Sequence, residues 1–377
     1  MTRQNKVLGI VFSNMHDSVL GELTEHRTTG SVPYGGRYRL IDFVLSGMVN
    51  SDITDIGIIT KQNYQSLMDH VGAGRAWDLA RKRGGLTILP PFANNDGAHG
   101  IYRGRLEALQ GGLDYIRHNK AKYVLLCDCD VIANMDLRDF INEHIRSGAQ
   151  ITMMCKRTEV RDEARADTTT LTFDPETKKL TDAMVNPEVK GEQNVYMNVM
   201  IAEKTLLERL ISEGKSHDSY SLVRHAIQPS IGVLDIRAYE FTGYTHKICG
   251  MKSYFAAHME LLDPAVRAEL FPADKPVFTK VRDQVPVKYG LSAKVGNSLI
   301  ADGCIINGEV ENCVIFRGVK IGKGAVLKNC IIMQNTYIGD NAHLEYVITD
   351  KDVLIKDSRT LIGYETYPTY ISKGSAI

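Results

Sequence analysis

The strongest constraint on this chain lies near its C-terminus, where a 17-residue step repeats. Ile321, Ile338 and Ile355 are evenly spaced (338 − 321 = 355 − 338 = 17), and the same step relates Val314, Ile331 and Ile348, and Leu327, Leu344 and Leu361. Gly322 with Gly339, and Ala325 with Ala342, keep it too. Within each unit aliphatic positions recur about every six residues, as from Ile321 to Leu327 and from Ile338 to Leu344. A six-residue step taken three times per coil is the pattern of a left-handed parallel β-helix, whose flat faces stack aliphatic side chains into one continuous core. Such a prism has open ends and flat sides, so assembly with other chains is expected of it ahead of rigidity alone.

Upstream, Val7-Leu8-Gly9-Ile10-Val11-Phe12 reads as a buried strand, and from Asp52 to about His225 short apolar runs alternate with longer amphipathic ones. That alternation predicts a three-layer α/β domain. Strands are expected over 56–60, 86–89, 123–127, 151–156 and 195–201, and helices over 64–70, 104–117, 137–146 and 205–211. Residues 263–287 carry Pro264, Pro272, Pro276 and Pro286 without a clean period, which reads as a connector. The expected organisation is an α/β domain over 1–245, a helix and connector over 246–290, and the β-helix over 291–377.

At 377 residues there is room for two domains with separate cores. The 45 basic and 45 acidic residues cancel, which removes any global electrostatic case for nucleic acid or an anionic membrane. No run approaches the roughly 18 apolar residues of a membrane helix, and Met1-Thr2-Arg3-Gln4-Asn5-Lys6 leads into the first strand without an apolar signal segment. Seven cysteines, mostly inside apolar runs, fit a reduced, cytoplasmic setting. Cys127 and Cys129 are expected as buried small hydrophobes, and Trp77 as a core residue.

A denser motif runs Val32-Pro33-Tyr34-Gly35-Gly36-Arg37-Tyr38-Arg39-Leu40-Ile41-Asp42-Phe43, followed by Leu45-Ser46 and Asn50-Ser51. Further on come Gln62-Asn63-Tyr64-Gln65-Ser66-Leu67, His70-Val71-Gly72, Trp77-Asp78-Leu79, Ile88-Leu89-Pro90-Pro91 and Tyr102-Arg103-Gly104-Arg105-Leu106-Glu107-Ala108. Together these segments resemble the sugar nucleotidyltransferases, and within them the bacterial ADP-glucose pyrophosphorylases (glucose-1-phosphate adenylyltransferases). The resemblance implies a nucleotidyltransferase-like (Rossmann-like) three-layer domain followed by the left-handed β-helix. In that family ATP and glucose 1-phosphate give ADP-glucose and pyrophosphate, with Mg²⁺ neutralising charge at the transferred phosphorus.

The chain departs from the family pattern where charge and glycine matter most. The phosphate loop G-G-x-G-T-R-L, whose glycines let backbone N–H groups close on a polyphosphate, falls on Asn14, Met15 and Asp17, with its arginine on Val19. The following Lys-Pro pair falls on Thr29-Gly30, and the arginine before it survives as Arg27. Asp17 would repel a triphosphate.

Asp130 aligns with the aspartate of the family's S-G-D-H, at a strand end where a carboxylate would hold Mg²⁺; turn capping explains an aspartate there equally well. The family's second metal carboxylate lies in Y-W-x-D-V-G-T, matched here by Tyr244-Thr245-His246-Lys247-Ile248-Cys249-Gly250, so that aspartate has become Lys247. Its ammonium either pairs with Asp130 in the ion's place or is a solvated surface group. The sugar-phosphate motifs E-K-P and S-M-G fall on Val185-Asn186-Pro187 and Tyr196-Met197-Asn198, leaving Asn186 and Tyr196 as remnants, while Tyr102 survives among the sugar contacts. Arg37, Arg39 and Arg105 are candidates for contacting an anion or regulator, or for structural ion pairs.

Within the family the pattern is most similar to the catalytically degenerate regulatory subunit of glycogen biosynthesis. That resemblance implies a hetero-oligomer, expected as a heterotetramer, with a catalytic sister subunit that carries the Mg²⁺, no metal or cofactor in this chain alone, and little or no turnover by itself. A homo-oligomer in the partner's absence stays open, as does a small phosphate or nucleotide ligand. Two other readings remain: an active adenylyltransferase with a rebuilt nucleotide loop, and a stand-alone sugar-phosphate or nucleotide sensor.

Overall fold

The computed structural model describes residues 7–15, 17–91, 102–160 and 168–377. Strand β1 (Val7–Phe12) can be apolar throughout because both of its faces are covered. It runs parallel to β2 (Asp55–Ile59) on one side and to β4 (Tyr123–Asp128) on the other, and β2 is followed outward by β3 (Gly85–Leu89). Beyond β4 lies the antiparallel β8 (Glu192–Glu203), then β5 (Ile151–Glu159) and β9 (Ile236–Glu240). A hairpin of β6 (Thr169–Phe173) and β7 (Leu180–Val185) joins β8 where Val195 meets Thr170.

Alternation along β1 sends Leu8, Ile10 and Phe12 to one face and Val11 to the other. The first face is covered by α3 (Arg105–Gly111), α4 (Leu113–His118) and α6 (Lys204–Ser216). The second is covered by α1 (Leu40–Asn50), α2 (Gln65–Val71) and α5 (Leu137–Ser147), with Trp77 buried in the same core. The single helix expected over 104–117 is two helices. Gly112, at φ −96° and ψ 5°, breaks it, and the Gly111-Gly112 pair is a poor helix interior.

After β9, the segment His246–Lys247 pairs antiparallel with Val131–Ile132, just beyond β4. Helices α7 (Met251–Glu260) and α8 (Pro264–Leu270) follow, and an extended stretch leads to the first rung strand, Lys288–Tyr289. From there the chain coils into three five-stranded parallel sheets. Lys320, Tyr337 and Leu354 stack with the expected step (337 − 320 = 354 − 337 = 17). Two coils differ. Leu299 stands beside Val314 and Ile305 beside Lys320, a shorter turn (314 − 299 = 320 − 305 = 15). Val347 stands beside Thr369 (369 − 347 = 22), so extra residues leave the prism as a loop bearing the exposed Tyr364 and Tyr367.

Parallel coils tolerate such length changes at corners, where only the turn is altered and the stacked aliphatics keep register. One prism face does not meet solvent. Val314, Phe316, Ile331, Met333 and Ile348 share a core with Leu20, Val32, Tyr34, Phe43, Tyr254 and Phe255 of the first domain and α7. Among the described residues no helix is long and apolar enough to cross a membrane.

Candidate functional site

At the carboxyl end of β4, Asp128 and Asp130 are both buried, Asp130 completely. Burying a carboxylate is costly unless cations and hydrogen-bond donors surround it. Asp128 is held by Arg105, the first residue of α3, whose Nε lies 3.0 and 2.9 Å from the two carboxylate oxygens. Asp130 is approached by Lys247, with Nζ 3.8 Å from Oδ2. The local backbone sets this up: Lys247 sits opposite Val131 in the short ladder, and the Ile248 N–H donates to the Asp130 carbonyl at 2.7 Å.

The amide of Asn198 donates to the same Oδ2 at 2.7 Å. Asn198 takes a left-handed conformation, φ 58°, within a bulge of β8 where the ladder slips between Tyr196 and Val199. Asparagine is among the few residues that accept that backbone, and the bulge turns its side chain toward the strand end.

A Mg²⁺ on Asp130 would need further oxygen ligands at about 2.0–2.1 Å. The opposing family carboxylate is here an ammonium, which supplies no lone pair and repels a divalent ion. Among the described residues no cluster of three or more His, Cys, Asp or Glu could hold a metal. The residues present do not fit the ion.

The loop after β1 is tied to itself. Asn14 is buried; its Oδ1 accepts the Lys61 N–H at 3.0 Å and its amide donates to the Gln62 carbonyl at 3.4 Å. Asp17 accepts the Thr29 N–H at 2.8 Å and the Thr29 hydroxyl at 2.7 Å. Burial raises its pKa while the Thr29 bonds oppose the rise. Met15 packs on the core beside β1, and Val19 is half-buried in a short 3₁₀ stretch (Asp17–Thr24).

Arg27 leaves this loop altogether. It is buried, and its Nη2 donates to both oxygens of Asp350 in the β-helix. The other sequence-derived positions are dispersed. Tyr196 is buried near the Arg105–Asp128 pair, its phenol pushed up by burial. Asn186 forms a turn, φ 56°, and donates its N–H to Thr168 at 2.7 Å. Tyr102 packs against α3, where its hydroxyl lies over Gly111.

Arg37 and Arg39 belong to a second site. The hairpin of Pro33–Tyr34 and Tyr38–Arg39 turns through Gly35 and Gly36, φ 58° and 83°, so close to the prism that a Cβ on Gly36 would meet the Ile315 carbonyl and Ala301. The turn brings both arginines to a cleft of about 200 Å³ between the domain and the β-helix. Lys280, Arg282, Arg317 and Lys351 also line it, with Asp352 the one carboxylate among its lining residues. Behind the lining residues Arg39 and His70, the buried Asp42 accepts the Arg39 N–H at 3.0 Å through one oxygen and meets His70 Nε2 at 2.6 Å through the other.

Concentrated positive charge leaves marks on this cleft. Burial lowers the Arg39 pKa to about 10, and burial together with Arg39 and Arg27 lowers Lys351 to about 7. Gln334 Oε1, on the cleft lining, is buried and lacks a hydrogen-bond partner among the described residues. Such a cleft suits a polyanion that carries hydroxyl donors. Sequence reading found Arg37 and Arg39 but missed Lys280, Arg282, Arg317 and Lys351, which come from a connector and from β-helix corners where no periodic signal marks them.

Comparison with known proteins agrees with the architecture. Residues 18–165 match the nucleotidyl transferase family, and residues 284–368 match the GlmU-like, C-terminal hexapeptide family, whose repeat builds the left-handed β-helix. The glycogen biosynthesis protein GlgD of Bacillus subtilis (strain 168) is 37% identical over 98% of this chain and 96% of its own length. GlgD of Geobacillus stearothermophilus is 38% identical over 86% of this chain and 83% of its length. The same organism's glucose-1-phosphate adenylyltransferase is 31% identical over 86% and 84%.

Proposed function

Because this chain belongs to the bacterial family that holds GlgD and glucose-1-phosphate adenylyltransferase, we propose that it is a regulatory subunit of that enzyme in glycogen biosynthesis, with little or no turnover of its own. The reaction, ATP plus glucose 1-phosphate to ADP-glucose plus pyrophosphate, is assigned to a catalytic sister chain in a cytoplasmic hetero-oligomer, expected as a heterotetramer. That one organism contributes both a GlgD and an adenylyltransferase relative supports a division of labour between two related chains.

The basic cleft carries the reading. Its cations come from both structural units: Arg37 and Arg39 from the first domain, Arg317 and Lys351 from the β-helix. An anion bound there is held by both at once and so changes the free energy of their junction. That is what a regulator needs in order to reach a neighbouring subunit through the prism. Phosphorylated metabolites bearing hydroxyl groups are the proposed ligand class.

The test is synthesis and pyrophosphorolysis by the purified chain, by its catalytic sister, and by the mixture, with and without such metabolites. The reading expects negligible rates from this chain alone and an altered regulator response in the mixture, one that weakens when Arg39→Ala is introduced here. Appreciable Mg²⁺-dependent turnover by the chain alone would overturn it.

A further inference from the structure

We infer that Lys247 is a built-in cation standing where a metal-dependent relative would hold a divalent ion, so that the strand-end site of this chain neither binds nor needs one. The inference concerns this chain's own residues and holds whether or not the chain regulates a partner.

Three observations carry it. First, the ladder between His246–Lys247 and Val131–Ile132 places Lys247 beside the strand end, and its ammonium lies 3.8 Å from Asp130 Oδ2. Both groups are sheltered, Lys247 at 15% side-chain exposure and Asp130 at 0%, so their attraction is little screened by solvent. Second, Asn198 presents an N–H donor to the same oxygen, from a left-handed position within a bulge of β8. Oδ2 is thus served by donors, where a metal site would offer acceptors. Third, Asp128, two residues before Asp130 at the same strand end, is engaged by Arg105.

The physical gain is permanence. A bound ion neutralises a buried carboxylate only while it is present, at a level set by its concentration. A lysine on the neighbouring strand does so at every concentration, including in the presence of chelators.

The experiment is a Mn²⁺ titration followed by electron paramagnetic resonance on the full-length chain, paired with thermal unfolding in Mg²⁺ or in EDTA. The wild-type chain is expected to show no Mn²⁺ binding that Asp130→Asn removes, and one unfolding midpoint in both solutions. Lys247→Asp, which restores a carboxylate pair, is expected to bind Mn²⁺ at least about tenfold more tightly than wild type, and to lose that gain when Asp130→Asn is added. Should Lys247→Asp fail to fold, Lys247→Met is read instead. Its midpoint is expected to fall by at least about 2–4 °C, and Asp130→Asn in the same chain to restore most of the loss. A wild-type Mn²⁺ signal abolished by Asp130→Asn, a folded Lys247→Asp chain that takes up no Mn²⁺, or a Lys247→Met chain as stable as wild type would each overturn the inference.

Discussion

Arg27 of the first domain and Asp350 of the β-helix form an ion pair across the domain junction, with Nη2 2.9 and 2.8 Å from the two carboxylate oxygens and both side chains almost fully buried. The Tyr370 hydroxyl adds a bond to Asp350 at 2.8 Å, as does the Lys351 N–H at 2.7 Å. A position that aligns with a nucleotide-loop cation in the family therefore serves here to fix two structural units together.

Removing one partner of this pair leaves the other charge buried. Arg27→Ala and Asp350→Ala are each expected to cost about 3–5 kcal/mol, while the double variant should cost clearly less than the two single losses added. Urea unfolding of the four proteins measures the coupling; additive losses would mean that the pair is not a unit.

Lys351 gives the junction a pH dependence. Burial, followed by Arg39 and Arg27, holds its ammonium down from 10.5 to about 7, against the opposing pull of Asp350. A base depressed in the folded state binds fewer protons there than when unfolded. Its penalty is therefore full below about pH 7 and fades as pH rises toward 10.5. Relative to Lys351→Met, the wild-type chain should gain stability between about pH 7 and pH 9. Inorganic phosphate in the cleft should reverse the local preference and draw a proton onto Lys351. Calorimetry near pH 8 should then show a binding enthalpy that changes with the ionisation enthalpy of the buffer, and Lys351→Met should lose that dependence.

Asp17 occupies the donors of Thr29 with its own carboxylate. Asp17→Ala strands those donors in a part-buried loop and should cost about 1–3 kcal/mol. Removing the repulsive charge should still not create an ATP site, because Asn14 and Met15 carry the side chains that prevent backbone N–H groups from closing on phosphate. Equilibrium unfolding and a nucleotide-binding titration of the variant check both halves of this expectation.

Asn198 separates a backbone role from a side-chain role. Asn198→Gly loses only the amide bond to Asp130, whereas Asn198→Ala also forces an alanine to φ near 58°. Alanine should therefore be the more damaging by about 1–2 kcal/mol in denaturant unfolding. Equal losses would mean that the bulge relaxes in the variants.

Much of the architecture was legible because it depends on local period. The stacking of Ile321, Ile338 and Ile355 follows from a repeat, and β1 from an uninterrupted apolar run. The shorter coil between Leu299 and Val314 and the loop carrying Tyr364 and Tyr367 were not legible, since corner residues in a solenoid bear no packing constraint that would mark them. Motif alignment left two places for Lys247, beside Asp130 or at the surface, and the fold sets its ammonium 3.8 Å from Asp130 Oδ2. The capture of Arg27 by Asp350, 323 residues downstream, was not legible, because no local pattern reports a contact at that separation.

The sequence by itself determined a layered α/β domain and a stacked prism, because these rest on side-chain period, and motif alignment set Lys247 at the position of the family's second metal carboxylate. Only the tertiary structure decided where the positive charge sits: Arg27 in the junction, Arg105 on Asp128, and Arg37 and Arg39 in a cleft completed by Lys280, Arg282, Arg317 and Lys351. Coulomb interactions depend on distances in space, and chain order does not fix those distances until the prism has packed against the domain.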